Sequence, residues 1–255
     1  HVPIEIKPSD GVSSNFVEFL DKITVGVDST AISIQTRISE AFDTFAVQIE
    51  DQLSVHVFEA LKILSDGIIA DKGNNLSLSD KTLEEIRTPI FILLYRIIFI
   101  LYAEDKGIFP IDHPIYRKEF SLKWVKEKWF FESTDTFKAE FEVQKRLQDL
   151  FKLIELGSVE FGYSKKEFFM RSYYGRLFDK QINNKLEKWK ISNSHLIEAL
   201  KLLTRTNDKG NYFLLDYEAL ETRQLGAVYE KLLQYRLETI EVKDSNNKIL
   251  DNCVN

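Results

Sequence analysis

Apolar residues recur every three or four positions along most of the chain, which is the spacing of an amphipathic α-helix. The longest such pattern, over residues 13–68, predicts one long helix or two helices with a break, ended by Gly67 and the polar run 71–75. Further helices are predicted around residues 119–130, 135–156, 196–204 and 216–238. Alternating apolar positions at 2–7 are typical of a short strand, and the apolar run at 212–215 is consistent with a strand or an extended segment. The sequence therefore predicts a mainly α fold, a multi-helix bundle-like domain with at most a few short strands.

One segment is apolar almost all round. Residues Ile90 to Tyr102 predict a central helix, with Leu94, Ile97 and Leu101 fully buried. Ser77 to Asp80 offer N-cap residues before it, Thr82 and Glu85 have the spacing of a capping box, and Pro89 is expected to kink the helix or mark its start. The apolar run is interrupted by Arg96 and is shorter than the roughly 20 residues that a membrane span needs, so we expect no membrane segment.

The pattern divides the chain into three regions. Residues 1–75 are an N-terminal segment with a short strand and a long helix, 76–240 form the helical core, and 241–255 are a loose polar tail. The chain begins at His1 and its single methionine is Met170, so we expect a piece of a longer polypeptide, whose tail leads to a downstream domain.

Composition removes several classes of function. Cys253 is the single cysteine, which excludes an internal disulfide framework and multi-cysteine metal sites, and the four histidines show no metal-ligand spacing. No signal peptide is visible, so the expected location is the cytoplasm. The formal net charge of −6 argues against a free-standing nucleic-acid binder.

The charge is nevertheless unevenly distributed. Residues 1–60 hold ten acidic and three basic side chains, whereas residues 163–190 hold eight basic and three acidic ones, interleaved with aromatic residues. Basic side chains beside aromatic rings suit a nucleic-acid backbone. The candidates for contact with DNA phosphates are Lys165, Lys166, Arg171 and Arg176. The alternative is that the aromatic rings belong to the core and the charges form a solvated face.

Two other features have both a structural and a functional interpretation. Arg96, inside the apolar segment, is expected to form a buried ion pair with a carboxylate of another helix, or else to contact a ligand. Glu5 and Lys7 form a Glu-x-Lys pattern, in which a nuclease would use the acidic residue to hold Mg²⁺. Without an upstream Pro-Asp, this short pattern is better explained as a strand with one solvated face, and Glu5 and Lys7 remain weak catalytic candidates.

Five stretches in order resemble one family. Leu94 to Pro110, with its Leu-Tyr-Arg and Tyr-Ala-Glu-Asp-Lys-Gly elements, is similar to a signature of type IIG restriction–modification enzymes and related adenine-specific DNA N6-methyltransferases. The other four stretches are 147–157, 174–179, 216–220 and 225–233. In that family the matching region is a helical connector, which links a Mg²⁺-dependent nuclease to a methyltransferase domain that uses S-adenosylmethionine.

The resemblance implies a non-catalytic connector that positions catalytic domains and contacts DNA phosphates weakly and non-specifically. Its partners would be DNA and the methyltransferase domain of the same polypeptide. The chain itself would hold no cofactor, because the glycine-rich cofactor motif and the Asn-Pro-Pro-Tyr motif of the family are absent from it. S-adenosylmethionine and Mg²⁺ are implied for the parent protein only. The alternative is a helical protein–protein interaction module with no role in nucleic-acid binding.

Overall fold

The computed structural model describes residues 34–122, 141–173, 175–179, 186–208, 211–234, 239–243 and 249–254. Its helices are α1 Ile34–Ala70, α2 Asp80–Asp105, α3 Glu142–Phe161, α4 Asn193–Thr204 and α5 Thr222–Gln234. Single turns of 3₁₀-helix lie at Lys72–Asn74 and Leu186–Lys188, and a π-helical turn lies at Tyr116–Phe120. The fold is mainly α, as predicted. The predicted first strand and most of the predicted helix at 119–130 lie outside the described residues.

The long helix α1 passes through Gly67, which the sequence predicts to be a terminator, and ends three residues later at Ala70. Gly67 is buried in the last turn, and a Cβ at this position would lie 2.8 Å from the His195 side chain of α4. The glycine therefore permits close helix packing instead of ending the helix. The next residue, Asp71, caps the following 3₁₀ turn, and its carboxylate accepts a hydrogen bond from the backbone N–H of Gly73.

The central helix α2 confirms the strongest expectation from the sequence. The hydroxyl of its N-cap residue Ser79 accepts a hydrogen bond from the backbone N–H of Thr82, so the cap lies three residues before the predicted capping box begins. The helix continues through Pro89, and Leu94, Ile97 and Leu101 are completely buried. By length and hydropathy α2 could cross a membrane, but 67% of its most apolar window is buried inside the protein, which is the behaviour of a core helix.

The described helices share one hydrophobic core. Helix α1 packs most extensively against α4 and then against α5 and α2, and a single cluster of buried side chains extends from Ile49 in α1 to Leu232 in α5. The described part of the predicted N-terminal region is therefore packed into the same core as residues 76–234, and residue 75 does not separate two hydrophobic cores.

Two antiparallel hairpins complete the described chain. Strand β1 Arg205–Asp208 pairs with β2 Asn211–Leu214, close to the strand predicted at 212–215. Strand β3 Thr239–Lys243 pairs with β4 Ile249–Val254, so the segment predicted to be a loose tail forms a hairpin in its described part. The last helix begins at Thr222 instead of Asp216, because the Asp216 carboxylate accepts a hydrogen bond from the Glu218 backbone N–H in a turn.

Candidate nucleic-acid interface

The candidate interface is the segment of residues 163–173 and 175–179, which we call the basic loop. It follows α3 directly and contains the four predicted phosphate-contacting residues. Helix α3 was predicted at 135–156 and extends to Phe161, with a break in its backbone at Gly157. The break and the residue after it determine where the basic loop lies.

Gly157 has φ 81° and ψ 165°, a conformation outside the helical region and open mainly to glycine. A Cβ at this position would lie 2.8 Å from the backbone nitrogen of Ser172 and 3.0 Å from the carbonyl oxygen of Met170. The basic loop can therefore run against the backbone of α3 only because residue 157 has no side chain.

Ser158 then joins the basic loop to α3. Its backbone N–H donates to the carbonyl of Met170 at 2.9 Å, and its hydroxyl accepts from the Met170 backbone N–H at 2.8 Å and donates to the carbonyl of Phe168 at 2.9 Å. Ser158 is completely buried. The Tyr173 backbone N–H adds a bond of 2.8 Å to the carbonyl of Ile154. These bonds fix the path of the loop on the helix.

The start of the basic loop is a tight turn between Ser164 and Glu167. The Glu167 carboxylate accepts hydrogen bonds from the backbone N–H and the hydroxyl of Ser164, at 3.1 and 2.6 Å, and the Ser164 hydroxyl accepts from the Glu167 backbone N–H. The Ser164 side-chain bond, followed by its backbone bond, lowers the pKa of Glu167. Lys165 and Lys166 lie at the centre of this turn, both exposed.

The apolar and aromatic side chains of the basic loop differ from its basic side chains in how far they are exposed to solvent. Phe168, Met170 and Phe178 are buried, and Tyr163 and Tyr173 are partly buried against the core. The four candidate phosphate contacts are all exposed: Lys165, Lys166, Arg171 and Arg176. The aromatic residues thus act mainly in packing, while the cations are displayed to solvent. Tyr174, Lys180 and Lys185 lie outside the described residues.

Phe169 is the exception among the described aromatic residues of the basic loop, because it is 57% exposed. The Lys165 ammonium lies 5.9 Å from the centre of its ring, and the Arg171 guanidinium lies 5.3 Å from that of Tyr173. Cations held over rings at such distances are weakly attracted to them.

The basic loop also carries two acidic residues, Glu167 and Asp179, so its described part has four basic and two acidic residues.

Residues 94–110, the first of the five stretches quoted for the resemblance, join α2 to the neighbouring segments through hydrogen bonds of Glu104, Asp105 and Lys106. Glu104 is buried, and its carboxylate accepts hydrogen bonds from the Tyr116 hydroxyl, the Ser121 hydroxyl and the Leu122 backbone N–H, at 3.0, 3.2 and 2.9 Å. Burial, and then the Glu104 charge and hydrogen bond, raise the pKa of Tyr116 well above its ordinary value. The phenol therefore stays protonated and donates. Sequence reasoning did not single out Glu104, because its partners lie 12 to 18 positions further along the chain, beyond the reach of a helical period.

Asp105 and Lys106, the two residues after Glu104, bond the end of α2 to the turn before α5. The Asp105 carboxylate accepts from the Tyr217 backbone N–H at 3.3 Å, and the Lys106 ammonium donates to the carbonyl of Glu218 at 2.6 Å. The Tyr217 side chain is completely buried and donates to the carbonyl of Leu203 at 2.7 Å. The Glu-Asp-Lys run thus connects the end of α2 to the loop after it and to the turn before α5.

Arg96 is buried in the core with 4% of its surface exposed. Its Nε donates to the carbonyl of Leu177 at 2.8 Å, and its guanidinium lies 5.0 and 5.6 Å from the ring centres of Phe151 and Phe178. Burial lowers the pKa of Arg96, while the charges of Glu187 and Glu155 oppose the shift. The described contacts are thus a carbonyl and two rings, and the expected buried ion pair stays a prediction.

Glu5 and Lys7, the weak catalytic candidates, lie outside the described residues. Within the described ranges, no group of three or more His, Cys, Asp or Glu side chains is arranged to hold a metal ion. No family model, curated protein or solved structure matches the chain.

Proposed function

We propose that this chain is a non-catalytic helical connector of a type IIG-like DNA restriction–modification enzyme, which positions the catalytic domains and contacts DNA phosphates through the basic loop. The observation that carries the proposal is the exposure of Lys165, Lys166, Arg171 and Arg176 on a loop whose backbone is hydrogen-bonded to α3. A backbone fixed in this way loses little conformational entropy when its side chains meet a phosphate row.

The structural role of residues 94–110 supports the same proposal. A connector has to transmit position without deforming, and this stretch joins the buried central helix to both of its neighbouring segments through Glu104, Asp105 and Lys106. A reading frame that continues beyond residue 255 into a glycine-rich cofactor motif and Asn-Pro-Pro-Tyr would support the parent enzyme. A continuing frame without these motifs would contradict it.

DNA binding is tested by a salt titration with two unrelated duplexes. Contacts with phosphates release counterions, so binding should be independent of sequence, steeply salt-dependent, and toward the weak end of roughly 10⁻⁴ to 10⁻⁶ M at physiological salt. The double variant Lys165→Glu with Arg171→Glu should bind more weakly. It should also flatten the log–log salt slope by about 2, because each lost phosphate contact removes about one unit.

The matched control reverses two exposed charges elsewhere, Lys81→Glu in α2 with Arg223→Glu in α5. It changes the net charge by the same amount, so it separates the effect of the basic loop from that of the charge of the whole chain. Equal affinity of the wild type and the loop variant at low salt, or equal losses in the loop variant and the control, would overturn the assignment of the loop to DNA.

A second candidate function, a protein–protein interaction module, is favoured by a groove between α2 and α5. It encloses about 580 Å³ and is lined by Phe91, Tyr95, Val228, Tyr229 and Leu233, among others. The rings of Tyr95 and Tyr229 lie 4.1 Å apart, and Tyr229 and Leu233 remain 46% and 49% exposed. Exposed apolar side chains around a groove are typical of contact surfaces. If the loop variant leaves DNA binding unchanged, this module becomes the preferred function.

A further inference from the structure

A cavity of about 690 Å³ lies between α2, α3 and the beginning of α4, separate from the exposed side chains of the basic loop. Most of its wall is apolar, formed by residues that include Leu93, Leu147, Phe151, Phe178 and Ile191. A cavity of this volume falls within the range of sites for small molecules, which are mostly apolar with a few polar groups that orient the ligand.

The polar group in this wall that stands out is Arg96, because it is almost completely buried and yet borders the cavity. Its Nε is committed to the carbonyl of Leu177. Its two terminal nitrogens have no hydrogen-bond partner among the residues that the structure describes, and both remain accessible at the cavity wall. Two guanidinium donors that open into a mostly apolar cavity are available to an anionic acceptor.

The guanidinium is also held rigidly in place. Phe151 and Phe178 lie within 5.0 and 5.6 Å of it, and the bond from Nε fixes its plane. Two adjacent nitrogens of a fixed guanidinium match the two oxygens of a carboxylate or two oxygens of a phosphate.

The other charges at the cavity decide between these two anions. Lys152 is the second cation of the wall, and Asp149, Glu155 and Glu187 contribute three carboxylates. Because acidic groups outnumber basic ones, a phosphate dianion would meet a stronger repulsion than a monocarboxylate, which carries one negative charge.

We infer that this cavity binds a small monocarboxylate with an apolar body, its carboxylate paired with the two terminal nitrogens of Arg96 and its body lying against Leu93, Leu147 and Phe178. The inference does not depend on DNA binding or on the parent enzyme. Its failure would leave the proposed function unchanged, and failure of the proposed function would leave this site unchanged.

The probes are hexanoate, 1-hexanol and hexyl phosphate, titrated into the complete 255-residue chain and followed by isothermal titration calorimetry or by amide chemical shifts. Hexanoate and 1-hexanol have the same apolar body, so their difference measures the carboxylate. Hexanoate should bind at least about tenfold more tightly than 1-hexanol, because hydrogen bonds to charged groups are the strong ones. Hexyl phosphate should bind more weakly than hexanoate. Equal binding of hexanoate and 1-hexanol, or tighter binding of hexyl phosphate, would overturn the inference.

The decisive variant is Arg96→Met, which keeps an unbranched apolar stem and removes the donors. It should abolish the preference for hexanoate over 1-hexanol. The matched control is Arg87→Met, because Arg87 lies on the same helix with its guanidinium 5.2 Å from the Phe91 ring but does not line this cavity. The control should keep the full preference. A preference that survives in Arg96→Met would contradict the site.

Arg96 is a core residue, so its removal could unfold the chain. Leu156→Trp covers that case, because Leu156 lines the cavity and is 38% exposed, so a larger ring is accommodated at the edge without disturbing the core. It should weaken hexanoate and 1-hexanol binding to a similar extent, by at least about tenfold through lost volume. Unchanged binding of both probes in a folded Leu156→Trp variant would overturn the inference independently of Arg96.

Discussion

At the scale of single residues, Glu104 is a buried carboxylate that fixes the segment after α2 through hydrogen bonds. Its carboxylate satisfies three donors from the loop that follows α2, in a site with almost no exposure to water. The sequence shows Glu104 only as the acidic residue that restores polarity at the end of an apolar helix. The donors that explain it are 12 to 18 positions away, beyond the reach of a helical period.

Replacing this side chain should therefore be costly. Glu104→Ala removes the acceptor for the Tyr116 and Ser121 hydroxyls and the Leu122 backbone N–H, and buried donors without a partner cost about 1–3 kcal/mol each before the site relaxes. We expect the free energy of unfolding to fall by about 2–5 kcal/mol in urea denaturation. Glu104→Gln, which keeps one acceptor oxygen, should lose less.

The comparison variant is Glu84→Ala on the same helix, whose side chain is 65% exposed and pairs with Arg87 at 3.9 Å. Exposed ion pairs contribute about 0–1 kcal/mol, so this variant should be nearly neutral. If the two alanine variants lose the same stability, the hydrogen bonds of Glu104 do not hold the loop as described.

At the scale of secondary-structure elements, the long periodic helices were predictable and their interruptions were not. Leucine and isoleucine spacing located α1, α2 and α4 because burial of an apolar face dominates their stability. Gly67 and Gly157 look alike in the sequence, yet the first lies within a helix and the second breaks one. The difference is tertiary, since His195 packs on Gly67 and the basic loop packs on Gly157.

Glycine substitutions test this distinction directly. Gly157→Ala forces a side chain into φ 81° and into contact with the backbone of Ser172, so we expect a loss of about 1–3 kcal/mol in the free energy of unfolding. Gly226→Ala lies within α5 with open space around the new methyl group, and should gain about 0.5–1 kcal/mol. The measurement is chemical denaturation of both variants, and a neutral Gly157→Ala would show that the basic loop is not anchored there.

The core role of α2 gives a second prediction at this scale. Leu94→Ala deletes a completely buried side chain and should destabilise the protein by about 2–5 kcal/mol, from lost burial and the cavity that remains. Val55→Ala in α1 is the matched surface change, because the Val55 side chain is 58% exposed. Thermal or urea unfolding should separate the two clearly, and similar small losses would remove the evidence that α2 is central.

At the scale of the whole molecule, the distribution of charge could be read from the sequence, whereas the burial of individual aromatic rings required the structure. The spacing of apolar residues predicted a mainly helical protein, and the helices of the described residues share one core from Ile49 to Leu232. The sequence also located the basic residues, because local charge density needs no tertiary information. It left open whether the neighbouring aromatic rings are exposed, and in the described part of the basic loop Phe168 and Phe178 are buried while Phe169 is not.

The last prediction concerns the activity of the isolated chain. If the chain has the proposed connector role, the purified chain should show neither methyl transfer nor Mg²⁺-dependent cleavage with S-adenosylmethionine, Mg²⁺ and a DNA duplex. The assay is decisive only if it is sensitive, so a known methyltransferase and a known nuclease should be run beside it. Cleavage that disappears in Glu5→Ala and Lys7→Ala would make the Glu-x-Lys pattern a nuclease centre, and the chain would then contribute catalysis as well as spacing.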